Sequence, residues 1–329
     1  MSASPRVLVL AGGPDGERDV SIEGGATVAA ALRDAGFTVE HRVIDRPTVD
    51  ELGAMITSCS TDVVVPLLHG PWGEGGVLQA MLQSLGIPFV GSQEAGAHLA
   101  MDKRATKRVA RAVVPDIITV LDDLAVEWEA LGMHPGLATG APPVVVKPNA
   151  DGSSLGVTIC PDESALALAL TEAHRADQDV IVEPMICGRE ITVPLLEHAG
   201  TGWTSLPICE VEPSAGVYDH EAKYHRDDTR YTVHPPLPDG VAHAVERATL
   251  AIAERLGLRH LCRADYIIET DHHGPTEPPR AVFLEINTMP GFTAHSFFPM
   301  TAAAAGIPLP ALCAHLVHLA MADTPAPGR

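Results

Sequence analysis

Between residues 6 and 92, short apolar runs alternate with helical stretches that stop at glycine, and this alternation limits the fold more than any other feature of the chain. The run Val7 to Leu10 meets a Gly12-Gly13 turn, and a helical pattern over 22–35 closes at Gly36. Strand, helix and strand patterns then follow at 38–42, 48–58 and 63–68. An apolar run without polar alternation is covered on both faces, so 63–68 belongs to a buried parallel sheet flanked by helices. A helix over 77–85 ends at Gly86, and 88–90 completes the unit before Gly91-Ser92. The expected class is α/β at the N-terminus with α+β units beyond it.

A chain of 329 residues exceeds one ordinary core. After residue 92 the pattern changes to a helix over 103–113, strands at 117–120, 144–147, 157–160 and 180–183, and helices over 124–131 and 164–176. From Gly188 the chain offers an exposed polar stretch over 212–230, a long helix over 241–256, strands at 265–269 and 281–286, and a last helix over 311–321. Three units are therefore expected, at 1–92, 93–187 and 188–329.

Aspartate and glutamate outnumber lysine and arginine by 42 to 22, for a formal charge of −20. Such a field repels nucleic-acid backbones and anionic lipid wherever cations are not locally concentrated, so neither partner is expected. Apolar segments are too short for a signal-peptide core or a bilayer span before Gly, Pro or charge interrupts them, and the chain reads as cytoplasmic. Six cysteines lie far apart without a CxxC pair, and no HExxH occurs among 16 histidines. Neither a disulfide scaffold nor a structural zinc site is indicated.

Two places carry chemistry. The stretch from Val144 to Val157 puts Lys147 at the end of an apolar strand, followed by a turn rich in Gly and Ser and a second strand. Backbone N–H groups of such a turn can cradle phosphate oxygens while the lysine supplies a point charge; a hairpin with a solvated lysine is the plainer reading. The same turn contains Gly152-Ser-Ser154-Leu-Gly156, a G-x-S-x-G match, with Asp265 and His295 in hydrolase chain order and His69-Gly70 resembling an oxyanion loop. A nucleophile elbow turns from strand into helix, whereas a strand-like run stopped by Pro161 follows Ser154. Further on, Arg263-Ala-Asp265 and Glu285-Ile-Asn287 each place two polar residues on one strand face, so Asp265, Glu285 and Asn287 can converge as hard oxygen ligands of the kind Mg²⁺ prefers. Walker A and G-x-G-x-x-G spacings are both absent, which leaves a nucleotide enzyme with dispersed lysines and an acidic metal cluster.

With these fragments in order, the chain resembles the D-alanine:D-alanine ligases of the ATP-grasp superfamily. The likeness runs through Gly12 to Ser21, His69 to Gly76, Met101-Asp-Lys103, Lys147 to Gly156, Tyr218 to Tyr224, Arg263 to Asp265 and Leu284 to Gly291. It implies a three-domain ATP-grasp fold with an N-terminal Rossmann-like parallel sheet. It also implies an ATP-dependent, ADP-forming ligation of two D-alanine molecules through an acyl phosphate. Lys103, Lys147 and Lys223 would contact the ATP phosphates in the Ser154 loop, with Glu183, Pro184 and Ile186 in the adenine hinge and Glu190 on the ribose. Asp265, Glu285 and Asn287 would bind two Mg²⁺ or Mn²⁺ ions. Glu17, linked through Ser153 to Tyr224, would meet the first substrate's ammonium group beside His69. Arg263 and the N–H of Gly291 would face the developing oxyanion, and Ser296 with the N–H of Phe297 would hold the second substrate's carboxylate. The resemblance further implies a homodimer joined through the first domain.

Departures from the family pattern fall at Glu74-Gly-Gly76, His220, His260, Cys262 and Phe297, the last in place of a common leucine. Two of them, His220 and Phe297, lie near the expected acceptor site or its lid, so D-serine or D-lactate stays open as acceptor. Simpler readings stand beside the functional ones: Glu17 and Ser21 as helix N-terminal residues, Lys103 as a helix-surface lysine, and Trp72 and Cys262 as packing.

Overall fold

The structure, a computed structural model, describes residues 4–124, 143–153, 155–212, 229–270 and 280–323. The N-terminal sheet is parallel, in the order β2 (Thr38–Ile44), β1 (Arg6–Gly12), β3 (Val63–Pro66), with a parallel bridge from Val64 to Phe89 extending it. On one side lies a core of Leu8, Leu10, Leu52, Leu68, Trp72 and Leu78 under α2 (Val49–Ser58), the short α3 (Gly70–Gly73) and α4 (Val77–Ser84). Thr48 starts α2 with a full capping box, its side chain accepting from Glu51 N while Glu51 accepts from Thr48 N. Ser21, inside α1 (Arg18–Asp34), does not cap it: the hydroxyl donates to the Leu67 carbonyl and accepts from Gly12 N at 2.8 Å, stitching β1 and the end of β3 to the helix.

After α5 (Glu94–Met101) and α6 (Lys103–Val113) comes the two-residue β4 (Thr119–Val120). A small antiparallel sheet then forms in the order β6 (Thr158–Cys160), β5 (Val144–Pro148), β7 (Val180–Pro184), backed by α7 (Glu163–Arg175). The largest sheet runs β11 (Arg230–Val233), β10 (Cys209–Glu212), β8 (Gly188–His198), β12 (Leu261–Glu269), β13 (Ala281–Asn287), β4, with β9 (Gly202–Ser205) on β8. The chain ends in α9 (Phe297–Ala304) and α10 (Leu309–Ala322), after α8 (Val241–Leu256).

Packing cuts across the chain order. The β4 strand and α6, expected with the central unit, join the large sheet instead: Val282 pairs with Thr119, and Ala110, Val114 and Ile118 share a core with Val245, Ile252, Tyr266 and Phe283. Helix α10 covers the outer face of the N-terminal sheet, where Leu312, Leu316 and Val317 meet Val7, Val28, Leu32 and Val65. Local pattern cannot reveal this, because an apolar helix face records that it is covered and not by what.

The central strand β8 is absent from the sequence reading because Pro194 and its charged ends obscure it. Strand residues direct N–H and C=O to the same side, and the Pro194 carbonyl accepts from Leu206 N at 2.9 Å, where the neighbour changes from β10 to β9. The missing proline N–H therefore breaks no rung with β12. Helices α5 and α9 are likewise missing from that reading, and most of the expected helix over 124–131 lies outside the described residues.

Candidate active site

A cleft of about 1000 Å³ opens between the small sheet and the large one. Val145, Ile159 and Ile186 face Ile267 and Leu284 across it, making an apolar slot edged by Lys103, Lys147, Glu183, Glu190, Asp265 and Glu285. Lys103 and Lys147 are brought together by Asn149, whose amide donates to Asp102 at 3.2 Å and Asp179 at 3.0 Å while its carbonyl oxygen accepts from Arg104 N at 3.0 Å. The loop is thereby clamped to the start of α6. Lys103 Nζ donates to the Asp151 carbonyl at 2.5 Å and pairs with Glu285 at 3.1 Å, so it is a buried cleft residue and not a helix-surface lysine.

Glu183 is held by two ammonium groups, Lys147 at 2.8 Å on Oε2 and Lys107 at 2.6 Å on Oε1, with all three side chains buried. Burial opposes each charge, and mutual attraction decides the outcome: Lys147 and Lys107 hold the Glu183 carboxyl below its usual range, and Glu183 raises Lys147. For Lys107 burial wins, with Lys147 adding repulsion, and its pKa falls to about 8 despite Glu183. Lys107 is absent from the sequence reading, although its place one helical turn after Lys103 was a usable signal.

A second cleft of about 860 Å³ adjoins the first at Glu285 and is lined by Glu17, His69, Ser153, Arg263, Asn287, Gly291, Ser296 and Phe297. It draws on all three segments of the chain. Glu17 stands at the N-cap position of α1 without a capping bond, and its carboxylate instead accepts from the Ser153 hydroxyl. Gly152 permits this approach, since a Cβ there would lie 2.7 Å from Glu17 Oε2. Ser296 Oγ accepts from Thr293 N at 3.0 Å and folds the loop so that it passes beside Gly291.

His69 is buried next to Glu74, with Nδ1 3.7 Å from Oε1. Burial works against the imidazolium, yet the Glu74 contact and the Glu17 charge outweigh it and Arg263, leaving the His69 pKa above the usual histidine value. The Glu74 pKa is raised too, in its case by burial and against the His69 contact. Glu74 also accepts from Gly70 N and Met289 N, each at 3.2 Å, and so ties the His69 loop to the turn after β13. In the sequence Glu74 stands out only as a departure within a motif.

Register pairs Asp265 with Glu285 and Arg263 with Asn287 across β12 and β13, as the two-residue spacings require. Arg263 forks onto Asp265, Nε to Oδ1 at 3.0 Å and NH2 to Oδ2 at 2.8 Å, and Thr192 donates to Oδ1 at 2.7 Å. Among the described residues no cluster of three or more His, Cys, Asp or Glu side chains could hold a metal ion. Asp265 and Glu285 face each other, and Asn287, two residues along β13, shares their face; two carboxylates and an amide oxygen are hard donors of the kind Mg²⁺ or Mn²⁺ prefers.

Pro184, Ile186 and Glu190 also line the first cleft. Ser154, Lys223 and Tyr224, with His220, lie outside the described residues. Trp72 is packed in the N-terminal core, and Cys262 is fully buried with its thiol pushed far up by burial, as packing roles require.

A family profile described as D-ala D-ala ligase C-terminus matches residues 137–318, and one described as D-ala D-ala ligase N-terminus matches 47–92. A D-alanine–D-alanine ligase from Dechloromonas aromatica is 36% identical over 328 residues, covering 98% of this chain and all of that one. Another, from Ralstonia pickettii, is 37% identical over 305 residues, covering 92% of this chain and 87% of that one. The crystal structure of a D-alanine–D-alanine ligase from Bacillus anthracis, complexed with ATP, superposes with a TM-score of 0.76 at 29% identity over 98% of both chains. The three-sheet architecture is thus the ATP-grasp fold with an N-terminal parallel sheet. With a profile over more than half of its length and relatives aligned along nearly all of it, this chain belongs to the D-alanine–D-alanine ligase family.

Proposed function

We propose that this chain uses ATP to join two D-alanine molecules into D-alanyl-D-alanine, with ADP and phosphate as products, for peptidoglycan precursor synthesis. The observation that carries the reading is the meeting of an apolar, lysine-edged cleft with a polar one at Glu285, beside Arg263. A carboxylate is a poor acylating group because oxide would have to leave. Phosphorylation by ATP in the first cleft supplies a better leaving group, and an amine bound in the second cleft can then attack.

Lys103 and Lys147 neutralise phosphate oxygens, joined by Lys223 and the Ser154 loop, while Glu183, Pro184 and Ile186 line the base and Glu190 the ribose. Glu17, held by Ser153 in series with Tyr224, meets the first ammonium group next to His69. Arg263 and the Gly291 N–H stabilise the tetrahedral oxyanion, and Ser296 with the Phe297 N–H receives the second carboxylate. Asp265, Glu285 and Asn287 would hold two Mg²⁺ or Mn²⁺ ions, which when bound supply charge neutralisation for phosphoryl transfer. The polar stretch from Glu212 to Arg230 would close over the site and keep water out.

Incubation with ATP, Mg²⁺ and D-alanine should release phosphate and form the dipeptide; no phosphate release would leave only nucleotide binding. Competition among D-alanine, D-serine and D-lactate across a pH series, with product identification, fixes the acceptor. A hydrolase using Ser154 lacks the elbow context, since strand β6 follows and not a helix. We further infer a homodimer through the first domain and a cytoplasmic location. No single helix among the described residues is long and apolar enough to cross a membrane, and the pair α9 and α10, which together match in composition, is bent by 105°.

A further inference from the structure

Glu74 is 3% exposed, and among the described residues no lysine or arginine pairs with it. Its two oxygens serve two different units. Oε1 accepts from Gly70 N at 3.2 Å and lies 3.7 Å from His69 Nδ1, whereas Oε2 accepts from Met289 N, 215 residues along the chain, at 3.2 Å. Burying a carboxylate without a fixed cation is costly, and an apolar side chain would fill the space at less cost; apolar contact, however, has no direction and sets no distance.

Both ends of this bridge are themselves held. On the N-terminal side Glu74 N donates to the Gly70 carbonyl at 2.9 Å, and a Cβ at Gly73 would lie 2.6 Å from Leu68 Cβ, so the segment is packed without slack. Trp72 N donates to Asp15 at 2.9 Å, two residues before Glu17. On the other side Met289 is buried and shares its N–H with the Asn287 amide oxygen at 2.9 Å. Pro290, with φ fixed by its ring, passes a shift at Met289 on to Gly291. Glu17, His69 and Gly291 all line the second cleft, while no residue of 1–92 lines the first.

We propose that Glu74 is a positioning residue for ligation: as a strut between the His69 segment and the Met289 turn, it sets the distance from the first substrate's ammonium site to the Gly291 N–H that faces the oxyanion. This rests on the ligase reading above. An amide N–H stabilises developing charge only at hydrogen-bond distance from the atom that carries it, so a strut of the wrong length lowers turnover. It also moves the His69 side of the cleft away from the first substrate, and it leaves the nucleotide cleft untouched.

The test compares wild type with E74A, E74Q and E74D for kcat, KM of ATP and of D-alanine, and melting temperature. E74A should lower kcat and raise KM of D-alanine, each about tenfold, with KM of ATP unchanged. Glutamine keeps the length but only one acceptor oxygen, so E74Q should fall between wild type and E74A. Aspartate keeps the charge and both oxygens but is one methylene too short to span the two units, so E74D should lie close to E74A. A KM of D-alanine within about twofold of wild type in all three variants would overturn the proposal whatever the melting temperature does, since a purely structural tie changes stability and not that constant. E74D lying nearer to wild type than E74Q would overturn it as well, because Glu74 would then act as the charge partner of His69 and not as a spacer. If E74A does not fold, E74Q and E74D are judged on the same two criteria. Wild type that makes no dipeptide overturns the ligase reading itself, a separate outcome.

Discussion

The two clefts are built on opposite plans. The first is an apolar slot between two sheets, with every described lining residue drawn from 103–190 and 265–285. The second is polar and collects single residues from as far apart as Glu17, His69, Ser153, Arg263 and Ser296. An apolar slot between sheets suits a flat base, and rigid strands hold it without help from other segments. A zwitterion offers little apolar surface, so its site must bring opposite charges from several directions, which needs the N-terminal unit seated against the large sheet. Changes in the first cleft should therefore appear in nucleotide affinity, and changes in the second in turnover and amino-acid affinity.

The sharpest way to break that contrast is Arg263→Met. It removes the oxyanion donor and leaves Asp265 without its fork, and kcat should fall by about 10² to 10³ with KM of ATP nearly unchanged. Steady-state dipeptide assays would read this; a loss confined to KM of ATP would merge the two clefts into one functional unit. Next, Lys107→Met leaves Glu183 with one cation in place of two. Stability should drop by about 2 kcal/mol and KM of ATP should rise, while KM of D-alanine holds. Urea unfolding and kinetics together report both effects.

The seating between the units can be probed at His260, which is fully buried at φ +65. Its Nδ1 accepts from Gly91 N at 2.9 Å, Nε2 lies 3.0 Å from Asp323, and its own N–H donates to Glu197 at 2.6 Å. Burial, then the Arg259 charge, lowers its pKa to about 4, against the pull of Asp323 and with His315 adding slightly to the lowering. A depressed histidine favours the neutral folded state, so its stabilisation is complete above the unfolded value near 6.5 and fades as pH falls toward about 4. Unfolding at pH 7 and pH 5 should differ by about 2 kcal/mol from this group, and His260→Gly, which adopts positive φ freely, should flatten that slope. The smallest effect is expected from Ser153→Ala, which frees one side of Glu17. KM of D-alanine should rise a few-fold, equivalent to about 1 kcal/mol, with KM of ATP unmoved.

Elements with a strong period were legible. Helices at Lys103–Val113 and Val241–Leu256 stand where periodicity puts them, and the strand pairs 263/265 and 285/287 face one another as spacing implies. Strand β8 was not legible because Pro194 argues against a central strand until the change of neighbour is seen. Lys107 and Glu74 escaped because a buried charge is indistinguishable from a solvated one until its partner, 76 residues away for Lys107 or on a separate unit for the Met289 N–H, is in place.

What the amino-acid order decided alone is the local grammar: which runs become strands, where glycine stops a helix, and which side chains share a face, all set by steric limits and periods within a few residues. What only the folded molecule decided is company. Helix α6 left its chain neighbours for the large sheet, α10 crossed back to roof the N-terminal sheet, and Glu17 turned from its own helix to Ser153. Burial and charge pairing are sums over every neighbour in space, and no window along the chain contains those neighbours.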